Sequence, residues 1–109
     1  MSRRERRRYL KIEVESEQSI NDRAFMDAVW DAVLQLFGEY GASQANLTLI
    51  QYDPQKGYAV VRCSNKALEM VRASIASITK IDEKPVAIHV LRVSGTLKSL
   101  RKERSVKTD

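Results

Sequence analysis

The order of two hydrophobic periods along the chain limits its possible folds more than any other feature. Four runs alternate or concentrate apolar side chains as strands do, namely 9–15, 47–52, 58–63 and 86–93. Two others, 19–37 and 65–78, space their apolar side chains at three and four, as amphipathic helices do. The chain has 109 residues, enough for one modest core. The predicted order of elements is therefore β-α-β-β-α-β.

Local signals predict where the two helices begin and end. Ser19 with Asp22 three residues later resembles a capping box, and Gly38 or Gly41 is suited to the end of the helix that follows. Asn65 is a suitable cap for the second helix. The predicted core stripe of the first helix is Phe25, Val29, Ala32, Leu36 and Tyr40.

With right-handed crossovers, this order favours an α+β ferredoxin-like sandwich, the fold that RNA-recognition motifs also have. It is a four-stranded antiparallel sheet with both helices on one face. The first and last strands are then antiparallel neighbours. We predict a basic arm over 1–8, the domain over 9–97, and a basic tail with a short helix over 98–109.

The positive charge of the chain is concentrated at its two ends. Residues 3–8 hold five arginines and one glutamate, which gives +4, and residues 98–107 hold five basic residues and one glutamate, which again gives +4. Residues 9–97 hold nine basic and eleven acidic residues, which gives −2. Because the predicted fold brings both ends to one edge of the sheet, we expect a basic patch that suits a polyanion.

The stretch RVSGTLKSLRKER, residues 92–104, has features of a phosphate-binding turn. Gly95 gives backbone freedom, and Ser94 or Thr96 can cap a short helix whose N–H groups face an anion. The alternative is that both charged ends are solvated tails. The predicted RNA contacts are Arg3, Arg4, Arg6, Arg7, Arg8, Ser94, Gly95, Thr96, Lys98, Arg101 and Lys102.

The stretch KGYAVVRC, residues 56–63, matches half of the first signature of RNA-recognition motifs. Ala59, Val61 and Cys63 are expected to face the helices, which leaves Tyr58 as the single residue of this strand able to stack on a base. We interpret the strand as scaffold.

The two outer strands have apolar residues on both predicted faces, which a sheet covered on one side does not need. In one strand, Leu47 and Leu49 alternate with Ile50 and Tyr52. Either the C-terminal segment folds over the open face or a protein partner covers it. The predicted protein contacts are Trp30, Leu34, Ile50, Tyr52, Tyr58, Val60 and Leu91.

Several function classes lack the residues they need. One cysteine, Cys63, and one histidine, His89, make neither a disulfide nor a zinc cluster, so we expect no metal site and interpret His89 as structural. No nucleophile set or glycine-rich phosphate loop occurs, and the acidic EVESEQSIND excludes the anion loop of acylphosphatases. No long apolar run predicts a signal or a membrane span, and we expect a cytoplasmic protein.

Three segments, RRRYLKIEV, LFGEYGASQANLTLIQYDPQKGYAVVRCS and VAIHVLRVSGTLKSLRK, resemble the archaeal ribonuclease P protein component 2 family in order and spacing. The eukaryotic relatives of that family are subunits of ribonuclease P and ribonuclease MRP. The resemblance extends from about Arg6 to Lys102. Its most specific parts are the Tyr-x-Val-Val-Arg-Cys strand and the Arg-Val-Ser-Gly-Thr-Leu-Lys segment.

The resemblance implies a noncatalytic subunit of the endoribonuclease that removes 5′ leaders from precursor tRNA. It implies that the RNA carries the Mg²⁺-dependent chemistry and that this chain binds no cofactor. The implied partners are the ribonuclease P RNA and protein component 3, a TIM-barrel protein, in a dimer of such pairs. Two alternatives are a free-standing single-strand RNA binder that uses Tyr58 and Tyr52, and a protein-interaction module that uses Trp30 and the open sheet.

Overall fold

The structure, a computed structural model, describes residues 6–100 and confirms the predicted order of the main elements. The strands are β1 (Arg7–Glu15), β2 (Thr48–Asp53), β3 (Tyr58–Ser64), β4 (Lys80–Ile81), β5 (Lys84–Pro85) and β6 (Ala87–Ser94). The helices are α1 (Asp22–Ala45) and α2 (Leu68–Ala76), the latter preceded by a 3₁₀ turn over Asn65–Ala67. The main sheet has the antiparallel order β2-β3-β1-β6, and the short β4 and β5 form a separate hairpin. This is the predicted ferredoxin-like architecture.

Strand β1 is the centre of the molecule because it pairs with both β3 and β6. Leu10 and Ile12 are fully buried and Val14 nearly so, and all three face the helices. Leu10 lies opposite Val61 of β3 and Val93 of β6. The strand begins at Arg7, two residues earlier than the alternation predicted, so part of the expected arm belongs to the sheet.

A β-bulge in each edge strand explains why these strands look apolar on both faces. In β2, Leu49 pairs with Val61 but Gln51 pairs with Val60, so Ile50 is an extra residue. After a bulge the side chains change face, and Leu49 and Tyr52 therefore both contact the core. The register of β6 shifts in the same way at Leu91. The premise that these strands need a cover on both faces was wrong, because strict alternation does not hold through a bulge.

Helix α1 starts and continues differently from the prediction. Its cap is Asn21, whose Oδ1 accepts a hydrogen bond from the Ala24 N–H at 2.8 Å, and not Ser19. At Gly38 the backbone leaves helical geometry, with φ 76°, and the chain then resumes a helix as far as Ala45. This kink breaks the helical period.

Two members of the predicted core stripe of α1 are exposed. Leu36 is 51% exposed and Tyr40 is 78% exposed, whereas Val33, Ala42 and Ala45 are buried. The prediction for Tyr40 was wrong because it extended one helical period through the kink at Gly38. The prediction for Leu36, which precedes the kink, was also wrong, and the kink does not explain it.

The C-terminal turn, residues 95–100, folds back over the open face of the sheet. Leu100 is 2% exposed and does not belong to the core on the helix side. It lines a recess of about 340 Å³ with Lys11, Tyr58 and Val60, which are open-face residues. Of the two covers that the sequence left open, the C-terminal segment is the one observed, and residues 98–100 are not a solvated tail.

The turn between β2 and β3 is fixed by Asp53 and Gly57. The Asp53 carboxylate accepts hydrogen bonds from the backbone N–H groups of Gln55 and Lys56, both at 3.1 Å. Gly57 has φ 75°, and its carbonyl accepts a hydrogen bond from the Val14 N–H at 2.7 Å. A Cβ atom on Gly57 would lie 2.5 Å from the Val14 carbonyl oxygen. Only glycine fits this position without a shift of the backbone.

We therefore expect Gly57→Ala to lower the free energy of unfolding by about 1–3 kcal/mol, because it adds both a left-handed residue and a backbone clash. Urea unfolding followed by circular dichroism measures this. Gly95→Ala is the matched control: its nearest contact would be Arg8 Nη1 at 3.8 Å, and its φ is not left-handed. Equal stabilities of the two variants would contradict the role of Gly57.

Candidate nucleic-acid interface

The antiparallel pairing of β1 with β6 brings the start of one strand beside the end of the other. Tyr9 pairs with Ser94, and the Asn65 N–H donates to the Arg6 carbonyl at 2.8 Å, so the start of α2 joins the same edge. We call the basic residues gathered here and in the following turn the basic edge: Arg6, Arg7, Arg8, Arg62, Lys66, Arg92 and Lys98. The predicted meeting of the two charged ends is confirmed for the described residues. Arg3, Arg4, Arg101 and Lys102 lie outside them.

Arg8 is held in place by the fold. Its Nε donates a hydrogen bond to Asn65 Oδ1 at 2.7 Å, which links β1 to the turn before α2. The same guanidinium lies beside the backbone of Gly95, at the end of β6. Asn65 thus orients an arginine instead of capping a helix as predicted. A guanidinium fixed at one edge with remaining N–H donors suits a phosphate, because its planar donors match two oxygens.

The charges are separated along the strands of the open face. Arg7 and Lys11 lie toward the start of β1, whereas Glu13 and Glu15 lie toward its end. On β6, Arg92 pairs with Lys11, and His89 pairs with Glu13. A polyanion is therefore attracted to one end of the sheet and repelled from the other.

The turn after β6 uses its own hydroxyl groups to close. Ser94 Oγ accepts from the Thr96 N–H at 3.2 Å, and Thr96 Oγ1 accepts from the Ser99 N–H at 3.0 Å. Thr96 is therefore a helix cap, as predicted, but these two N–H groups are engaged within the turn. Gly95 does not have a left-handed backbone. The turn presents Lys98 as an exposed cation, and its hydroxyl groups mainly build the turn.

Tyr58 lies half-buried on the open face, as the sequence predicted. The Lys11 Nζ lies 5.0 Å from the centroid of its ring, a cation–π distance. Val60 is its neighbour on the same face, next to Leu100. Tyr9, which the sequence analysis did not select, also belongs to this face, because it pairs with Arg62. Tyr9 is two residues before Lys11 on β1, and this spacing alone places the two side chains on the same face.

Tyr52 belongs to the core and not to an interface. Its ring stacks on Phe25 with centroids 5.4 Å apart, and its hydroxyl donates a hydrogen bond to the Ile20 carbonyl. Burial raises the pKa of the Tyr52 phenol, with a further contribution from the negative charge of Asp22. The bulge at Ile50 is the reason that the prediction placed Tyr52 on the wrong face.

The other predicted protein contacts lie in separate places. Trp30 packs against the core and is half-buried, whereas Leu34, on the same helix, is 39% exposed. Ile50 and Leu91 occupy the bulges of the two opposite edge strands, and Leu91 is 47% exposed. These residues do not form one surface.

An exposed apolar segment that the sequence analysis missed lies around the kink of α1. Leu36, Phe37 and Tyr40 are 51%, 43% and 78% exposed, next to Leu34. Gly38 was the available signal, because a glycine inside a helical pattern indicates a break in the period. This segment is the largest group of exposed apolar side chains on α1.

Groups suited to catalysis are few in the part of the chain that the structure describes. Glu13, Glu15 and His89 place one ligand atom each within 4.8 Å of the others, so His89 has acidic neighbours that the sequence did not reveal. His89 Nε2 lies 3.6 Å from Glu15 Oε1, and both side chains are more than half exposed.

Cys63 is buried. Over residues 6–100, no helix is long and apolar enough to cross a membrane.

Comparison with known proteins assigns the chain to a family. The sequence model of the Rpp14/Pop5 family matches residues 8–104. The chain belongs to the Rpp14/Pop5 family. Ribonuclease P protein component 2 of Pyrococcus abyssi is 32% identical over 100 residues, which cover 92% of this chain and 85% of that protein. The protein of the same name from Methanocaldococcus jannaschii is 33% identical over 98 residues, which cover 90% and 72%. The resemblance noted in the sequence is thereby confirmed.

A solved structure has the same fold. A chain in the cryo-EM structure of yeast ribonuclease MRP superimposes with a TM-score of 0.71, covering 99% of this chain and 98% of that one, at 14% sequence identity. The two chains therefore share the ferredoxin-like fold, although few of their aligned residues are identical.

The thiol of Cys63 should be inert in the folded protein. Its side chain is 1% exposed, and burial raises the pKa of the thiol to about 11. Because the thiolate is the nucleophile, we expect alkylation by iodoacetamide at about pH 8 to be negligible until the protein is unfolded. Mass spectrometry of native and denatured samples measures this.

The raised pKa of the Cys63 thiol also makes the free energy of unfolding depend on pH. The unfolded thiol loses its proton near its ordinary pKa while the folded one keeps it, so stability falls as pH rises from the ordinary value toward about 11. Cys63→Ala removes this contribution and is the control. Rapid native alkylation would contradict the burial of this thiol.

Proposed function

We propose that this chain is a noncatalytic protein subunit of ribonuclease P, of the component 2 type, which supports the RNA that removes 5′ leaders from precursor tRNA. Membership of the Rpp14/Pop5 family supports the assignment to ribonuclease P. The observation that carries the role on RNA is the basic edge, where the fold joins arginines from the start of β1 to β3 and β6.

The basic edge contacts the phosphate backbone of the ribonuclease P RNA. Arg6, Arg7 and Arg8 are consecutive, and the fixed guanidinium of Arg8 gives this contact a defined orientation. Phosphate contacts position a protein and neutralise repulsion between strands, but they carry little sequence information. Recognition therefore depends on the shape of the folded RNA.

Exposed apolar side chains on α1 give the subunit a surface for protein partners. Leu34, Leu36, Phe37 and Tyr40 lie on α1, and the end of this helix reaches the basic edge, where the Gln44 carbonyl accepts a hydrogen bond from Ser64, the residue paired with Arg7. The partners proposed are protein component 3 and a second copy of such a pair. The Mg²⁺ ions belong to the RNA, this chain binds no cofactor of its own, and the assembly is cytoplasmic.

Replacing Arg6, Arg7 and Arg8 together with Ala should make RNA binding less dependent on salt. Each phosphate contact contributes about 0.7–0.9 to the slope of log affinity against log salt, so the slope should fall by about 2–3. Filter binding of the ribonuclease P RNA over a range of salt concentrations measures it.

The matched control removes three positive charges elsewhere. Arg23, Arg72 and Lys80 are exposed and lie on α1, on α2 and in the β4–β5 hairpin. Their replacement with Ala should leave the slope nearly unchanged. Equal slopes for the two triple variants would show that net charge, and not the basic edge, governs binding.

Phe37→Asp with Tyr40→Asp should reduce association with protein component 3 or with a second copy at least tenfold, because charges would have to be buried in an apolar contact. Analytical ultracentrifugation of the mixed subunits measures this. Gln35→Asp, also exposed on α1, is the control for added charge. Unaltered association would remove the kinked segment from the interface.

A further inference from the structure

The open face of the sheet combines aromatic rings with cationic side chains. Tyr9 and Tyr58 lie on it, on the neighbouring strands β1 and β3, and Lys11 lies between them in the register. Tyr9 pairs with Arg62 and Tyr58 pairs with Glu13, which separates the two tyrosines by four residues, or about 13 Å along the strands. Two rings at this spacing are two separate surfaces on which unpaired bases can stack.

The basic edge continues onto this face. Arg7, Tyr9 and Lys11 alternate along β1 from the edge toward the middle of the sheet, and Lys11 contacts the ring of Tyr58. A nucleic-acid strand that enters at the edge therefore meets cations for its phosphates and rings for its bases. Glu13, which pairs with Tyr58, and Glu15, two residues further along β1, limit the site by repelling further phosphates.

The C-terminal turn starts beside Tyr9, which pairs with Ser94, and its last residue, Leu100, reaches the recess at Tyr58. Leu100 is 2% exposed, although it lies outside the helix-side core, and it borders the recess that Lys11, Tyr58 and Val60 also line. The turn is held by the Thr96 cap and by the hydrogen bond from the Leu100 N–H to the Thr96 carbonyl at 3.2 Å. Residues 97–100 are helical, and Leu100 is the buried side chain of this described segment that borders the recess at Tyr58.

We propose that the open sheet face is a second site, for a few unpaired nucleotides of RNA, and that the C-terminal turn closes it through Leu100. The site adjoins the basic edge, and its stacking surface, Tyr9 and Tyr58, is distinct from the arginines that contact structured RNA. In the closed state Tyr58 contributes little to RNA affinity, and in the open state it is the stacking surface. The measured association constant for single-stranded RNA is the intrinsic constant of the open state multiplied by the fraction of molecules that are open.

The test uses the full chain and a fluorescein-labelled oligouridylate of about eight nucleotides, with binding followed by fluorescence anisotropy. Leu100→Ser should raise the affinity about tenfold or more, because it removes the anchor of the turn. Leu91→Ser is the matched control, since this leucine is exposed on β6 away from the turn. It should leave the affinity unchanged.

Tyr58 decides whether the gained binding uses the proposed surface. Tyr58→Ala should have little effect in the natural sequence but should cancel the gain in the Leu100→Ser background, whereas Tyr58→Phe should retain it. Stacking on one ring corresponds to about a fivefold to a hundredfold change in affinity. Thermal melting checks that each variant is folded, which we expect because Leu100 is outside the helix-side core.

Three results would overturn the proposal. The first is an oligouridylate affinity of Leu100→Ser equal to that of the natural sequence. The second is a gain in affinity of Leu100→Ser that persists when Tyr58→Ala is added. The third is self-association of Leu100→Ser without a gain in oligouridylate affinity, which would identify the face as a protein surface. The Arg6, Arg7 and Arg8 triple variant, tested on ribonuclease P RNA, reports independently on the proposed function. Either proposal can therefore fail while the other holds.

Discussion

The pairing of β1 with both of its neighbours is the interaction on which the rest of the structure depends. Through it, Leu10, Ile12 and Val14 are buried against the helices while both edges of the strand are hydrogen-bonded. Because β1 and β6 run in opposite directions, the start of β1 meets the end of β6. The same pairing thus forms the core and collects the basic residues.

Concentrating charge at one edge has an electrostatic cost in the free protein, and the fold limits this cost in two ways. The basic side chains lie largely exposed to water, where like charges repel weakly and salt screens them. Two of the arginines are half-buried, and both have hydrogen-bond acceptors: Arg8 donates to the amide oxygen of Asn65, and Arg62 donates to the hydroxyl of Thr48. In the proposed complex, RNA phosphates replace the counterions, so a surface that contributes little to folding can contribute strongly to binding.

Sequence reasoning was reliable where the period of the side chains was regular and failed where the backbone changed that period. The strands β1 and β3 alternate without interruption, and the predicted inward residues Ala59, Val61 and Cys63 are the buried ones. At Gly38 and in the two bulges, a local change in backbone geometry moves every later side chain to another face. Tyr40 and Tyr52 were misplaced for this one reason.

The sequence by itself determined the order of elements, the family, the absence of a nucleophile set and the location of charge at the two ends. These are properties of composition and of local spacing, which act over a few residues. The tertiary structure decided which side chains share a surface: Arg8 with Asn65, Glu13 with His89, and Leu100 with Tyr58. Such pairs are far apart along the chain, and they meet only when the sheet register, the bulges and the final turn are fixed together by packing.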